Sequence, residues 1–356
     1  MISSRLTTAI IAIAAAAVGS LVAVGASYSS LRPYATRDGT ASPQARPAVQ
    51  TIVSPSPMPL TRGRLGGHPR LTLSGPVLLA SGDNALFESD DQAATFHSVS
   101  LPAGSDGLVV APSDSRRRLT GGSSLHISDD SGSSWRLAQA SPPGPGPYMP
   151  LAISLSDKDV WFASAHGRLL RTRDGGNSWR ELAGISADAG TLVVPTGRPG
   201  EFVVAAGEQI YELLDNGQQI RPRAGLPGSA RALEMAVAAT DPSIALLARG
   251  SDGKDYIDVG GGWQASVPLS GAIAAIPGRW IVVGDASESA VSGQIEASTD
   301  VGKTWSEGHG LPDGQSVDAI VAGPGASAAF AYTYAGSVFT SVDGVTWTRT
   351  QGSLGS

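Results

Sequence analysis

Short apolar runs, each closed by Gly, Pro, Asp or Ser, recur along most of this chain, a pattern that predicts short β-strands rather than helices. Leu151–Leu155, Asp159–Ala163, Arg168–Thr172 and Ser178–Leu182 follow one another as four strands. The scheme returns near the C-terminus as Val317–Ala322, Ala328–Tyr332, Ser337–Ser341 and Thr346–Thr350. At the start of the patterned region four strands are found only if Arg70–Leu73 and Pro76–Ala80 both count. The N-terminus differs. Residues 7–27 are almost entirely apolar or small, and about 20 such residues span a bilayer as a helix. They are expected to form an uncleaved signal anchor, or alternatively a signal peptide cleaved after Val24-Gly25-Ala26. Residues 28–68 are rich in Pro, Ser, Ala and Arg without periodicity, the composition of an extended linker reaching up to roughly 3 Å per residue. The expected division is therefore 1–27, 28–68 and 69–356.

Between the third and fourth strands stands a turn of one type, seen best at Ser298-Thr299-Asp300-Val301-Gly302-Lys303-Thr304-Trp305. Asp accepts hydrogen bonds from N–H groups further along the loop, and Gly fits a position of positive φ. Trp opens the next strand with a large surface to bury. Copies are marked by Asp91, Asp130, Asp174, Asp215, Asp258, Asp300 and Asp343, with Trp135, Trp179, Trp263, Trp305 and Trp347 in the aromatic seat. The intervals between these aspartates are 39, 44, 41, 43, 42 and 43 residues. A unit of about 42 residues matches the four-stranded blade of a propeller. The expected fold is all-β, a seven-bladed β-propeller of four-stranded antiparallel blades preceded by a transmembrane or signal helix. The first blade is expected to pack on the last without exchanging a strand.

These copies resemble BNR or Asp-box repeats over residues 69–350. That family includes sialidases, xyloglucan-active glycoside hydrolases, sortilin-type receptors and photosystem II assembly factors. The resemblance implies a propeller. It implies sialidase activity only with an Arg-Ile-Pro motif near the first blade, and no Arg-Ile-Pro occurs here.

The chain has no Cys, which excludes disulfides, thiolate catalysis and Cys-based zinc sites. Three lysines stand against 22 arginines, the usage of a GC-rich, bacterial type of genome. The first 70 residues hold seven arginines and one acid, Asp38. The remainder holds 18 basic and 30 acidic side chains, a formal charge of −12. So acidic a folded part argues against nucleic acid. Arg116–Arg118 is expected to be a solvated strand end.

The boxes join strands three and four, so ligands are expected on the opposite face, where loops join strands two and three. Candidates there are His166, Arg168, Glu208, Asp252, Asp255, Asp285 and Glu288, with Asp83 and Lys254. Inter-blade loops add Tyr148, Arg231, His309 and Asp313. Opposed carboxylates about 5 or 6.5–9.5 Å apart would permit glycoside hydrolysis. His166 and His309 lack partners at metal spacing, and neither a metal nor a cofactor is expected. The leading expectation is an extracytoplasmic, membrane-anchored module binding a protein or glycan on this face. A glycoside hydrolase using the loop acids, and a secreted rather than anchored protein, are the alternatives.

Overall fold

The computed structural model describes residues 50–51, 70–74, 77–81, 86–138, 147–188, 190–239, 244–265, 272–276, 278–283, 295–300, 302–311, 317–322, 328–333 and 337–353. Their regular structure is β, with one 3₁₀ turn at Pro227–Ser229. Residues 1–49 lie outside the described set, and with them the expected anchor or signal helix. Among the described residues no helix is long and apolar enough to cross a membrane.

Five four-stranded antiparallel sheets stand alone: A (70–98), C (192–223), D (232–265), E (273–307) and F (317–353). The expectation of seven separate four-stranded blades is corrected here. Residues 105–186, expected as two blades, form one nine-stranded sheet, B, which also takes in Gln50–Thr51. Its halves join where Tyr148 pairs with Gly122. The cause is local. A Cβ on Gly121 would lie 2.1 Å from the Tyr148 carbonyl oxygen, and Gly122 sits at φ +128°. Two glycines let the strand Tyr148–Ile153 approach Asp114–Gly122 closely enough to bond.

The strand pattern itself holds. The second four strands of sheet B are Tyr148–Ile153, Trp161–Ala165, Arg168–Thr172 and Arg180–Ser186. Sheet F is Val317–Val321, Ala329–Thr333, Ser337–Ser341 and Thr348–Ser353. Sheet A begins with Arg70–Ser74 and Val77–Ser81.

The sheets are arranged in a ring. The first strand of each four lies beside the first strand of the next, and Val317–Val321 returns to Arg70–Ser74. The core lies between sheets rather than within one. Leu71, Leu78, Phe87 and Phe96 of sheet A pack on Val321, Phe330, Tyr332 and Val338 of sheet F. Leu192, Val203 and Ile210 of C meet Met235, Val237 and Leu246 of D in the same manner.

Arginines staple neighbours together near the boxes. Arg118 is 3 % exposed and reaches Glu88 of sheet A with both terminal nitrogens, at 2.5 and 3.1 Å. Arg117 bridges Asp129 and Asp159 across the halves of sheet B, at 2.7 and 2.6 Å, and lies over the Trp161 ring. Arg223 joins Glu212 of sheet C to Asp258 of D. The expectation of a solvated strand end therefore fails for Arg117 and Arg118. It holds for Arg116, whose side chain is 69 % exposed and pairs with Asp114.

Candidate functional site

The box turns fold as their residue types dictate. Ser128 Oγ donates to Asp130 Oδ1 and accepts the Gly132 N–H at 2.7 Å. Asp130 accepts the N–H and the hydroxyl of Ser134. Equivalent networks form around Asp91, Asp174 and Asp300, and a shortened one around Asp343. Thr304 donates its hydroxyl and then its N–H to Asp300, holding that carboxyl down at about 2. For Asp343 the leading cause is the Thr346 N–H, with the same result of about 2. In each of these turns the marker Asp and the Ser or Thr two residues before it are bonded to one another, the arrangement of a turn staple.

Two markers sit in other seats. Third strands end on the box Ser or Thr: Ser89, Ser128, Thr172, Ser298 and Ser341. In sheet D the strand ends on Asp258 itself, which is buried and accepts Gly260 and Gly262 N–H groups as Ser128 accepts Asp130 and Gly132. Asp258 thus fills the Ser seat, and its negative charge is met by Arg223 at 2.5 Å. In sheet C the strand ends on Leu214, so Asp215 falls one place early; it is exposed at φ +50°. Trp135, Trp179 and Trp347 are buried. Trp263 and Trp305 are partly buried against neighbouring clusters.

The opposite face carries the ligand candidates on tight turns. His166 and Gly167, at φ +48° and +78°, form a two-residue hairpin loop, leaving His166 exposed. Arg168 follows and pairs with Glu181 at 3.5 Å, both about half exposed. Glu208 is exposed beside Gly207, and its carbonyl backs onto Gly225 of the next inter-sheet segment. In sheet D, Asp252 accepts the Tyr256 hydroxyl at 2.6 Å and the Lys254 N–H at 3.2 Å. The Tyr256 bond above all holds the Asp252 carboxyl below its usual range, and Asp252 in turn raises the Tyr256 hydroxyl. Arg231 pairs with Asp188, tying two inter-sheet segments, and its N–H bonds to Ser251. Tyr148 is buried in sheet B, and His309 is exposed beside Thr346. Asp83, Asp285, Glu288 and Asp313 lie outside the described residues.

Asp255 belongs to none of this surface. It is 1 % exposed and pairs with Arg249 at 3.0 Å. Arg249 also reaches Glu234, itself fully buried, at 3.6 Å. Cross-strand register sets Glu234 opposite Arg249 and Arg249 opposite Asp255. The result is a carboxylate–guanidinium–carboxylate row across three strands. An Arg between two acids offsets the cost of burying them, and removing it would leave charge stranded. Glu234 and Arg249 were not singled out from sequence; the signal was a charge inside each of the apolar runs Ala232–Ala239 and Ile244–Gly250. Leu233, on the same innermost strand, is 38 % exposed. No group of three or more His, Asp or Glu positioned for a metal ion occurs among the described residues.

No protein-family model matches the chain, and no curated protein matches it. Solved structures do. The crystal structure of the Niastella koreensis GH74 enzyme superposes with a TM-score of 0.56 at 15 % identity, over 81 % of this chain and 55 % of that one. Dihydro-heme d1 dehydrogenase NirN in complex with DHE gives 0.51 at 10 % identity, over 81 % and 66 %. These likenesses show the fold. It is a β-propeller. YCF48 from Cyanidioschyzon merolae gives 0.46 at 16 % identity, over 72 % and 89 %. The chain spans about half the length of the GH74 enzyme and just under two thirds of NirN.

Proposed function

We propose that this chain is a non-enzymatic binding or scaffold propeller of the BNR/Asp-box kind. On this reading the apolar segment at 7–27 anchors it to a membrane, and the propeller works on the extracytoplasmic side. Its ligand is a protein or a glycan, held on the turns opposite the boxes.

One observation carries the preference for binding over hydrolysis. Asp255, at the start of the third strand of sheet D, is buried and held by Arg249 rather than facing a substrate. Asp252 is likewise engaged by Tyr256 and Lys254. A general acid needs a raised pKa and an open side facing the glycosidic oxygen, whereas Asp252 is held below its usual range. What this face does present is exposed and mixed: His166, Arg168 and Glu208 on the turns, and Leu233 on an inner strand. Such a surface suits a polar rim around a small apolar contact.

The test is a panel of cell-surface glycans and extracytoplasmic proteins presented to the full chain, scored for both capture and hydrolysis. Capture that weakens at least about tenfold on Arg168→Ala or Leu233→Asp, without turnover, supports the reading. Hydrolysis abolished by Asp252→Asn would overturn it in favour of a glycoside hydrolase. Release of the protein from membranes by a simple salt wash would overturn the anchor.

A further inference from the structure

A propeller exposes the outer edge of each fourth strand, and an exposed edge invites another strand. Most edges here are blunted. His97–Ser98, Gln264–Ala265 and Ser306–Glu307 are two residues each. Gln219–Arg223 contains Pro222, which has no N–H to offer. Arg180–Ser186 and Thr348–Ser353 both pair through a register shift that bends them. Ser134–Leu137 has none of these defences.

Its hydrogen bonding shows which groups are on offer. The Ser134 N–H goes to Asp130 Oδ1, and the Ala138 N–H goes inward to the Leu125 carbonyl. Because N–H direction alternates along a strand, the Trp135 and Leu137 N–H groups point outward. Leu137 is also exposed, at 44 %. Gln50–Thr51 lies on this edge, antiparallel, with Gln50 opposite Trp135 and Thr51 opposite Ser134. Connectivity does not force that position. Residues 52–69 could extend to roughly 60 Å, while a four-stranded sheet is about 15 Å across.

We propose that the outer edge of Ser134–Leu137 is a strand-accepting surface, and that its occupant is this chain's own N-terminal segment at Gln50–Thr51. The segment expected as a free spacer is then clipped to the rim of sheet B. The clip closes an edge that would otherwise recruit a second chain. It also fixes where everything before residue 50 leaves the propeller: at the rim, away from the inner strands. The inference does not depend on the proposed function.

The absence of Cys makes a direct test available in the full chain. Thr51 and Ser134 form a pair without mutual hydrogen bonds, since the Ser134 N–H is already taken, and such pairs have Cα atoms about 4.5 Å apart, within disulfide range. The double variant Thr51→Cys/Ser134→Cys should close an intramolecular disulfide at least about tenfold faster than Thr51→Cys/Ser98→Cys, whose second site is on the outer strand of sheet A. Equal rates would overturn the proposal. A disulfide-linked dimer would assign the edge to a second copy and overturn it too. Because Ser134 also serves its box, Gln50→Pro gives an independent reading that leaves the propeller's own residues intact: Gln50 and Trp135 are the hydrogen-bonded pair, and Pro has no N–H to give to it. Hydrogen exchange at the Trp135 amide should quicken by about tenfold or more in that variant, and not in Ser30→Pro. Unchanged exchange in Gln50→Pro would overturn the proposal whatever the disulfides do.

Discussion

At Gly302 two demands coincide. Its φ is +79°, and a Cβ there would lie 2.3 Å from Ile257 Cδ1 of sheet D. Gly176 repeats the arrangement, 2.4 Å from Ile127 Cδ1. The box glycine therefore makes room for an isoleucine of the preceding strands as well as turning the chain. Gly302→Ala should cost about 2–4 kcal/mol, combining strain with overpacking. Gly207→Ala, at φ +61° with open space around it, should cost only about 1 kcal/mol. Urea unfolding of the two variants separates the effects, and equal losses would mean that the neighbour gives way. The tryptophans rank by burial in the same way. Trp135→Ala should cost about 3–5 kcal/mol, and the half-buried Trp305→Ala about 1–3 kcal/mol. Asp300 and Asp343 add a dependence on acid. Their folded pKa of about 2 lies below the ordinary aspartate value of 3.8, so their contribution is fully present above about pH 4 and is lost as pH falls toward 2. Acid titration of Thr304→Val, which removes the leading bond to Asp300, should move the unfolding midpoint to higher pH.

The third strand of a unit, which leads into its box, is legible along the chain. Arg168–Thr172 and Ser337–Ser341 can be bounded from their apolar residues and the boxes that follow. Sequence reading fails where the deciding partner is on another strand. Asp255 reads as a loop acid because it stands next to Asp252, Gly253 and Lys254. Only the register that sets Arg249 and Glu234 beside it shows that it is buried. Asp258 reads as a box Asp because Gly260 and Trp263 follow at familiar distances, yet the strand end places it in the Ser seat. Arg118 reads as one of three adjacent arginines, and its partner Glu88 is 30 positions away. Arg118→Ala should be costly, about 3 kcal/mol, because it leaves Glu88 partly buried without its counter-charge. The double variant Arg118→Ala/Glu88→Ala should recover part of that loss in thermal melts. No recovery would mean that Arg118 acts through packing alone.

For the whole molecule, the repeat length foretold a ring of sheets but not the join that makes one sheet of residues 105–186. That join depends on Gly121 and Gly122, which in sequence look like ordinary turn glycines. The ring has a second consequence. A linear array of repeats can fray from its ends, because its terminal units have one neighbour each. Here the terminal sheets have two. Leu71, Leu78, Phe87 and Phe96 are buried against Phe330, Tyr332 and Val338, so the first and last sheets are held as firmly as those between them. Native-state hydrogen exchange should therefore give Leu79 in sheet A and Ala331 in sheet F protection comparable to Val204 in sheet C. Leu78→Ala should then cost about 2–5 kcal/mol and lower the protection of all three together, as expected of one cooperative unit. If it instead released only sheets A and F while Val204 stayed protected, the seam would be a separable latch, and the ring would open before it unfolds.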